Sequence, residues 1–506
     1  MPQPSAPGTI SGLRPAPARA STPLPGSFTL IEDASTQEFD GGSVLLGGSP
    51  LRLFRISERA RQLVALWKSG APVGPRRSAQ LLARRLVSAG AFVPEPTTAA
   101  LGASDVTVVV PVRDRTAQLD RLLGVLEGLD CVVVDDASAD AAATKEITER
   151  HGARQVGLST NVGPSGARNA GLAHVRSALV AFVDSDCVPT EGWLGPLLGH
   201  FDDPLVAAVA PRIVQVVPEP GGGRDGRAPV RPRSSLDRGV APGLVRMGSR
   251  IPFVPSAALL VRVDAADGPG LFDPALRGGE DVDLVWRLGE AGWDVRYEPS
   301  STVAHQGPVT LGAFLARRAF YGTTAAPLSR RHRDALVPVH VSGWSLAVWM
   351  FVMARKPLLA LTALAISIGI LARRLRGLVR DPVGVATHIA GGGTRRAALP
   401  ALASLTRAWS PALVLGLAFR RTRRASALAL LLPALSELFT DQDARDPVRA
   451  VALHVADDVA YGTGVWVGCA RERTVVPLIP RVSWRARVWS SPVLRQELRA
   501  EPSENG

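Results

Sequence analysis

The pattern of apolar and polar positions changes along the 506-residue chain and divides it into parts. Between residues 27 and 96, short apolar strands and two amphipathic helices are expected. Between residues 104 and 310, β-branched apolar runs alternate with amphipathic stretches, which predicts an α/β fold with a doubly wound, Rossmann-like sheet. Residues 311–470 contain long uncharged segments and predict a helical, apolar region. The pattern leaves residues 1–26 and 471–506 as tails.

The N-terminal module, residues 27–96, shows strands followed by two helices and a last strand. Ser57 is positioned to cap the first helix, and Gly90 to stop the second. This order predicts a winged-helix-like fold and resembles PqqD-like modules, which hold a peptide by adding it to a strand edge. The alternative is a packing accessory without a ligand. Residues 1–26 are rich in Pro, Ala and Ser, lack the apolar core of a signal peptide, and predict a disordered tail.

Two carboxylates, Asp184 and Asp186, directly follow the apolar run Val180–Val183. The run predicts a buried strand, and ligands bind beyond the carboxyl ends of strands in open parallel sheets. Paired carboxylates suit a divalent cation such as Mg²⁺ or Mn²⁺, which could hold a diphosphate. A polar turn after a strand is the alternative, because Asp-x-Asp alone is common.

Loops after other predicted strands flank the same crevice. One runs from Pro111 to Arg115, and another, from Asp135 to Ser138, offers a carboxylate to a ribose hydroxyl or a base N–H. A third loop contains Gly163 and Gly166 and enters a helix, where backbone can approach an anionic ligand closely. Arg168, just inside that helix, could reach a phosphate.

A second acidic motif follows Gly278 and Gly279, where a helix is expected to begin. Its first turn contains Glu280, Asp281 and Asp283, and the helix dipole favours their ionised form. An ionised carboxylate facing a sugar site can accept a proton from an acceptor hydroxyl. Acidic residues are also ordinary at helix starts. Residues 221–233, rich in Gly, Pro and Arg, predict a mobile loop, and loops of this kind can close over a bound ligand.

The formal net charge of +13 is weak evidence for a function, because abundant Arg, Ala, Gly and Pro are typical of a G+C-rich coding bias. The functional alternative is attraction to an anionic membrane or anionic substrates. The basic residues are not interleaved with stacking aromatics, so no nucleic-acid partner is expected. The three cysteines lack C-x-x-C spacing and predict neither disulfides nor zinc, which fits a reducing compartment.

Several apolar segments after residue 337 are bounded by arginines. Val337–Met353 and Pro357–Ala372 are separated by Arg355 and Lys356. Basic residues beside apolar helices favour association with an anionic leaflet, with a soluble helical core as the alternative. The pattern suggests no role for the Asp457–Asp458 pair.

The sequence resembles glycosyltransferase family 2. The resemblance is carried by Val109–Arg115, Val133–Ser138, Asn161–Gly171, Asp184–Asp186 and Gly279–Leu288. It implies the GT-A fold with a nucleotide-sugar in the crevice.

By the same resemblance, Asp136 contacts the uracil, Asp184 the ribose or sugar side, and Asp186 the metal. Asp281 is the catalytic base, and His305 completes the metal or diphosphate site. Pro111, Arg113, Arg115 and Arg168 complete the expected donor site. Many members of the family have an aromatic residue and Asn where this chain has Arg113 and Asp114, which leaves the base contact open.

The whole chain resembles one subgroup, the glycosyltransferases of the mycofactocin system of actinobacteria. This implies transfer of glucose from a UDP-glucose donor, in β-1,4 linkage, to a peptide-derived redox cofactor at the cytoplasmic face of the cell membrane. A single carboxylate base fits inversion. The alternatives are a polyprenyl-phosphate or cell-wall glycan acceptor, a nucleotidyltransferase, and a non-catalytic binding protein. A nucleotidyltransferase would need a Gly-rich, Arg-containing loop after the first strand, and residues 111–115 are not such a loop.

Overall fold

The computed structural model describes residues 13–49, 51–216, 234, 236–268, 270–308, 310–332, 335–438 and 446–484. The predicted mobile loop at residues 221–233 lies outside the described residues. So do the first part of the N-terminal tail and most of the C-terminal tail.

The N-terminal module consists of five strands and two helices. Their bounds are β1 Thr29–Glu32, β2 Gln37–Phe39, β3 Val44–Gly47, β4 Arg52–Arg55, α1 Glu58–Lys68, α2 Arg77–Ala89 and β5 Phe92–Glu95. Strand β1 pairs with β5, and β2, β3 and β4 form a separate antiparallel sheet. As predicted, Ser57 caps α1 by accepting from the backbone of Ala60, and Gly90 ends α2 with a φ of 78°.

The central part of the chain is a nine-stranded mixed sheet with helices on both faces. Its elements are β6 Val106–Val112, α3 Thr116–Val125, β7 Asp130–Asp135, α4 Ala141–Arg150, β8 Arg154–Gly157, α5 Gly163–Leu172, β9 Leu179–Val183, β10 Cys187–Pro189, α6 Gly195–Leu198, β11 Val206–Val216, β12 Gly243–Val245, β13 Ala258–Arg262, α7 Glu280–Glu290 and β14 Asp294–Gln306. The order is β10-β14-β11-β13-β9-β6-β7-β8, and β12 pairs with β14.

Strands β8, β7, β6 and β9 are parallel, which confirms the predicted βαβ series. Beyond β9 the sheet becomes mixed, because β13 is antiparallel to both β9 and β11. Every residue of β9 is buried, as expected for a strand covered on both faces. The parallel strands therefore end together at one edge, where the acidic loops begin.

The C-terminal region is helical, as predicted. Its elements are α8 Leu311–Thr323, α9 Ala325–Arg331, β15 His340–Ser342, α10 Gly343–Met353, α11 Pro357–Leu375, α12 Pro382–Gly416, α13 Arg423–Leu438, α14 Pro447–Glu472 and β16 Arg481–Ser483. Helices α8 and α14 pack at backbone distance, since a Cβ at Gly464 would lie 1.9 Å from the Ala319 carbonyl oxygen. This contact packs the first helix of the region against its last described α-helix.

The N-terminal tail is ordered from residue 13, so the prediction of a disordered tail over residues 1–26 is wrong for its second half. The backbone of Arg14 donates to the Ala265 carbonyl, and Ala16 donates to Ala291. Leu24 is fully buried in the core of the N-terminal module. Polar composition did not reveal this, because the segment is stabilised by hydrogen bonds to distant backbone.

A buried ion cluster fixes the N-terminal module to the central part, which carries the nine-stranded sheet. Arg84 of α2 contacts Asp203 through two hydrogen bonds of 2.5 and 2.8 Å, with side chains 2% and 0% exposed. Arg296 of β14 also donates to Asp203. Burial alone would raise the pKa of Asp203, but the two guanidinium groups hold it below its ordinary value. The module is thus joined by charges that cannot be exposed without leaving a partner unpaired.

Candidate functional site

The loops after β6 and β7 are joined to one another at the crevice. The Asp114 backbone N–H donates to the Ser138 hydroxyl at 3.0 Å, and the Ala139 N–H donates to the Asp114 carboxylate at 2.7 Å. Asp114 and Ala137 have φ values of 55° and 57°, a left-handed conformation that non-glycine residues seldom adopt. Backbone held in this region by surrounding hydrogen bonds is frequent at ligand sites.

Asp136 lies beside these loops, and both of its carboxylate oxygens are engaged by backbone groups of the protein. Its carboxylate accepts from the backbone N–H groups of Val162 at 2.7 Å and Gly163 at 2.9 Å. These hydrogen bonds fix the loop that leads into α5, which is the segment expected to approach the donor. Arg113, half-exposed, lies 3.5 Å from Asp114, and Pro111 is near the end of β6. The structure brings all of these predicted donor residues to one edge of the sheet.

Arg168 connects the two acidic motifs. Its guanidinium donates to Asp184 at 2.6 Å and to Glu280 at 2.9 Å, and the side chain is only 3% exposed. The group also lies over the Phe272 ring, 5.3 Å from its centroid. Both terminal nitrogens are therefore engaged by carboxylates, so Arg168 contacts the protein here instead of extending as a free cation toward a phosphate.

Asp186 and His305 come together through strand register. Strand β10 places Cys187 opposite His305 of β14, and the His305 Nε2 lies 3.8 Å from an Asp186 carboxylate oxygen. Arg115 donates to the other carboxylate oxygen. Burial lowers the pKa of His305, with Asp186 acting in the opposite direction. A neutral imidazole beside a carboxylate can donate a lone pair to a metal ion.

The Asp186–His305 pair fits a metal that takes its other ligands from a substrate. No three His, Cys, Asp or Glu side chains converge as metal ligands within the described parts of the chain. A carboxylate suits Mg²⁺ and Mn²⁺, and Mg²⁺ is commonly bound through one or two carboxylates plus substrate phosphates.

Asp281 occupies the first turn of α7, as predicted, and is partly exposed to the crevice. Burial and the neighbouring Glu280 carboxylate raise the pKa of Asp281 to about 7. The expectation that the helix dipole would keep this group ionised is wrong in direction, because desolvation outweighs the dipole. A carboxylate with a pKa near neutrality is well matched to general-base chemistry.

The third acid of this turn, Asp283, has a structural role. It accepts from Arg287 at 2.7 Å and from His332 Nε2 at 3.1 Å, and it is 1% exposed. Burial would raise the pKa of Asp283, but His332 and Arg287 lower it to about 2. Asp283 therefore anchors α7 to the residue that follows α9.

Glycine is required before α7 because a neighbouring helix lies close. A Cβ at Gly278 would lie 2.8 Å from the Phe320 ring, and one at Gly279 would lie 2.8 Å from a methyl group of Leu328. Gly279 also has a φ of 75°. The two glycines thus allow α8 and α9 to pack directly behind the Glu280–Asp281 pair.

Sequence reasoning missed several residues around the site. Burial lowers the pKa of Arg238, and the Asp281 carboxylate acts against it, which places this cation within electrostatic range of Asp281. Asp457 accepts two hydrogen bonds from Arg318 of α8, and Asp458 accepts from Arg407 of α12 at 2.6 Å. No local pattern marks these partners. The sequence did carry one indication that Asp457 and Asp458 have buried partners, since two acids stand together in an otherwise apolar segment.

Comparison with known proteins identifies the family. The model described as Glycosyl transferase family 2 matches residues 107–262. Proteins named Pre-mycofactocin glycosyltransferase from two strains of Mycobacterium tuberculosis are 38% identical over 484 residues, covering 91% of this chain and 99% of theirs. Glycosyltransferase AglE of Haloferax volcanii is 24% identical over 204 residues, or 38% of this chain and 64% of that protein.

Among solved structures, a mannosyltransferase from Pyrobaculum calidifontis in complex with GDP-Man and Mn²⁺ aligns with a TM-score of 0.37. It is 18% identical, and the alignment covers 72% of this chain and 90% of that one.

Two findings agree: the acidic motifs of the family meet at one edge of the sheet, and the mycobacterial relatives match over nearly their whole length. The chain therefore belongs to glycosyltransferase family 2, as a GT-A enzyme that uses a nucleotide-sugar and groups with the mycobacterial pre-mycofactocin glycosyltransferases.

Proposed function

We propose that the enzyme transfers glucose from UDP-glucose, with inversion, to the peptide-derived precursor of mycofactocin, forming a β-1,4 linkage. The identity of the acceptor is supported by relatives whose name includes pre-mycofactocin. The match to this chain covers 99% of their length. The reaction type is supported chiefly by Asp281, a crevice carboxylate with a pKa of about 7 beside a Glu280 that is already paired with Arg168.

In the proposed reaction Asp281 accepts the proton of the acceptor hydroxyl as that oxygen attacks the anomeric carbon. A new carbon–oxygen bond forms on one face of the sugar while the bond to UDP breaks on the other, so an α-linked donor gives a β-linked product. Glu280 does not share the role, because the Arg168 guanidinium donates to its carboxylate at 2.9 Å. Asp184, held by the same guanidinium, faces the ribose or sugar side.

Asp186 and His305 would hold Mg²⁺ or Mn²⁺, whose positive charge would stabilise the diphosphate leaving group. Arg115 is paired with Asp186 and would therefore place a second positive charge beside the metal. The N-terminal module would serve acceptor recognition, by adding a peptide to a strand edge. The membrane surface is part of the proposal, since α11 is long and apolar enough to cross a membrane by length and composition.

An apolar groove supports a second candidate, transfer to a polyprenyl-phosphate. The groove lies between α8, α13 and α14 and has a volume of about 730 Å³. It is lined by Leu315, Leu431, Val448, Val451, Ala452, Val455, Ala456, Val459 and Ala460. Such a surface suits a hydrocarbon chain.

The acceptor is tested by supplying labelled UDP-glucose together with the pre-mycofactocin peptide or with polyprenyl phosphate. We expect label in the peptide product, released by a β-glucosidase and not by an α-glucosidase. Label recovered only in the organic phase would favour the second candidate, and an α-linked product would contradict inversion.

Replacing Asp281 by Asn removes the basic lone pair and preserves the shape of the side chain. We expect kcat to fall by roughly 10²–10⁴, about 3–5 kcal/mol of barrier, because a positioned general base is lost. UDP affinity, measured by calorimetry, should stay near the wild-type value. Glu127→Gln, at an exposed position after α3, is the control and should keep its activity. An Asp281→Asn enzyme with near-normal kcat would exclude this role.

Replacing Asp186 by Asn tests whether this side chain holds the metal that strengthens UDP binding. For the wild type, we expect Mn²⁺ to tighten UDP binding roughly tenfold or more over binding in chelator, about 1.4 kcal/mol. Asp186→Asn should abolish this difference, whereas Asp267→Asn at an exposed loop position should preserve it. Equal tightening by Mn²⁺ in Asp186→Asn would show that the metal is held elsewhere.

A further inference from the structure

We propose that α11 lies in the plane of an anionic lipid surface, with one apolar face in the headgroup region, and does not cross the bilayer. This rests on the membrane association included in the proposed function and specifies its geometry. The partner is a phospholipid leaflet, recognised by an apolar stripe with cations at each end.

The stripe is continuous along one side of α11. Leu358, Leu359, Ile366 and Ile370 are 78%, 44%, 46% and 37% exposed. At 3.6 residues per turn these four side chains fall within roughly 120° of the helix circumference, which is one face. Ala360, Ala363, Leu371, Ala372 and Leu375, on the other side, are buried. The helix thus has one side packed on protein and one apolar side without a protein partner among the described residues.

The packed side holds α11 against the N-terminal module. Leu371 and Leu375 belong to one buried cluster with Val44 of β3 and Val385 of α12. The Arg380 backbone N–H also donates to the Asp40 carboxylate at 2.8 Å. The C-terminal end of α11 is therefore fixed to a folded, polar module and cannot enter hydrocarbon.

The other end cannot reach the far leaflet, because α10 is too short. With 11 residues α10 extends about 16 Å, whereas the hydrocarbon core is about 30 Å thick. Its start is fixed as well, since β15 directly precedes it and pairs with β16. Insertion of the α10–α11 turn by its tip would bring Arg355 and Lys356 into hydrocarbon, which is costly.

A flat orientation avoids both problems. Arg355 and Lys356 precede the stripe, Arg373 and Arg374 follow it, and all four are exposed. In the membrane plane, both pairs lie at headgroup depth, where they attract anionic lipid. Helix α11 contains no acidic residue, so a second copy packed on this face would oppose cations to a surface without complementary charge.

Binding is tested by sedimentation of the full chain with vesicles of phosphatidylcholine, with or without phosphatidylglycerol. We expect the wild type to partition to the anionic vesicles. Arg355→Gln/Lys356→Gln should weaken this partition roughly 25-fold, about fivefold for each charge removed. Leu358→Glu/Ile366→Glu should abolish it. Leu66→Glu, which alters a 55% exposed leucine of α1, should have no effect.

UDP affinity measured on the same variants separates this proposal from the function itself. It should be unchanged in all of them, because the altered side chains are exposed and remote from the crevice motifs. Equal partition of the wild type to neutral and anionic vesicles would overturn the proposal. So would a dimer in solution that Leu358→Glu/Ile366→Glu dissociates while no vesicle binding occurs.

The orientation is tested by labelling Lys356→Cys with a membrane-impermeant maleimide in intact cells and in inverted membrane vesicles. The three native cysteines are buried, so background labelling is low. We expect labelling in inverted vesicles alone, with the tip on the cytoplasmic side. Labelling in intact cells would show that the hairpin crosses the bilayer and would overturn the in-plane geometry.

Discussion

The contact on which the site depends is the buried guanidinium of Arg168 between Asp184 and Glu280. The two acids come from distant parts of the sequence, at the end of β9 and the start of α7. Without a cation, they and the neighbouring Asp186 and Asp281 would repel one another in a poorly solvated crevice. Breaking such a buried pair typically costs about 3–5 kcal/mol, so Arg168 fixes both motifs in place. It also distinguishes the two carboxylates at the start of α7, because Glu280 is paired with Arg168 whereas Asp281 accepts from the Val282 backbone N–H.

The parts on either side of the sheet are built into this arrangement. Behind Asp281, helices α8 and α9 approach closely, since a Cβ at Gly278 or at Gly279 would lie 2.8 Å from a side chain of these helices. Helix α8 is in turn joined to α14 through Arg318 and Asp457. On the opposite flank, Arg84 joins the N-terminal module to Asp203. Removing either flank would leave buried charges without partners, so point substitutions test their roles more cleanly than truncation.

The sequence was most informative where structure is local. An apolar run that ends in Asp184 and Asp186 predicts a strand and its polar end, and α7 begins at Glu280 as expected, because both features depend on neighbouring residues. Long-range partners could not be predicted in this way. Arg168 was assigned to a phosphate because nothing in its helix indicates an acid 112 residues away. The pKa of Asp281 was misjudged because burial, which opposes the dipole, depends on tertiary packing.

The same reasoning explains the N-terminal segment, where composition predicted disorder and tertiary hydrogen bonds order residues 13–26. Strand register shows the reverse case, since His305 was named from the family resemblance and the pairing of β10 with β14 then placed it beside Asp186. Sequence motifs therefore indicated where the candidate site lies, whereas the partners and pKa values of its charged residues depend on tertiary structure.

The central claim is that Asp281 acts as the base, because Glu280 is engaged by Arg168 while its negative charge, together with burial, raises the pKa of Asp281. The most direct measurement is the pH dependence of kcat/KM for the wild type and for Glu280→Gln. Asp281 must be ionised to accept a proton, so the wild-type rate should fall as the pH drops through about 7. Removing the neighbouring negative charge should move this acidic limb to lower pH, with activity retained above it. An acidic limb at the same pH in a Glu280→Gln enzyme that still binds UDP would contradict the account.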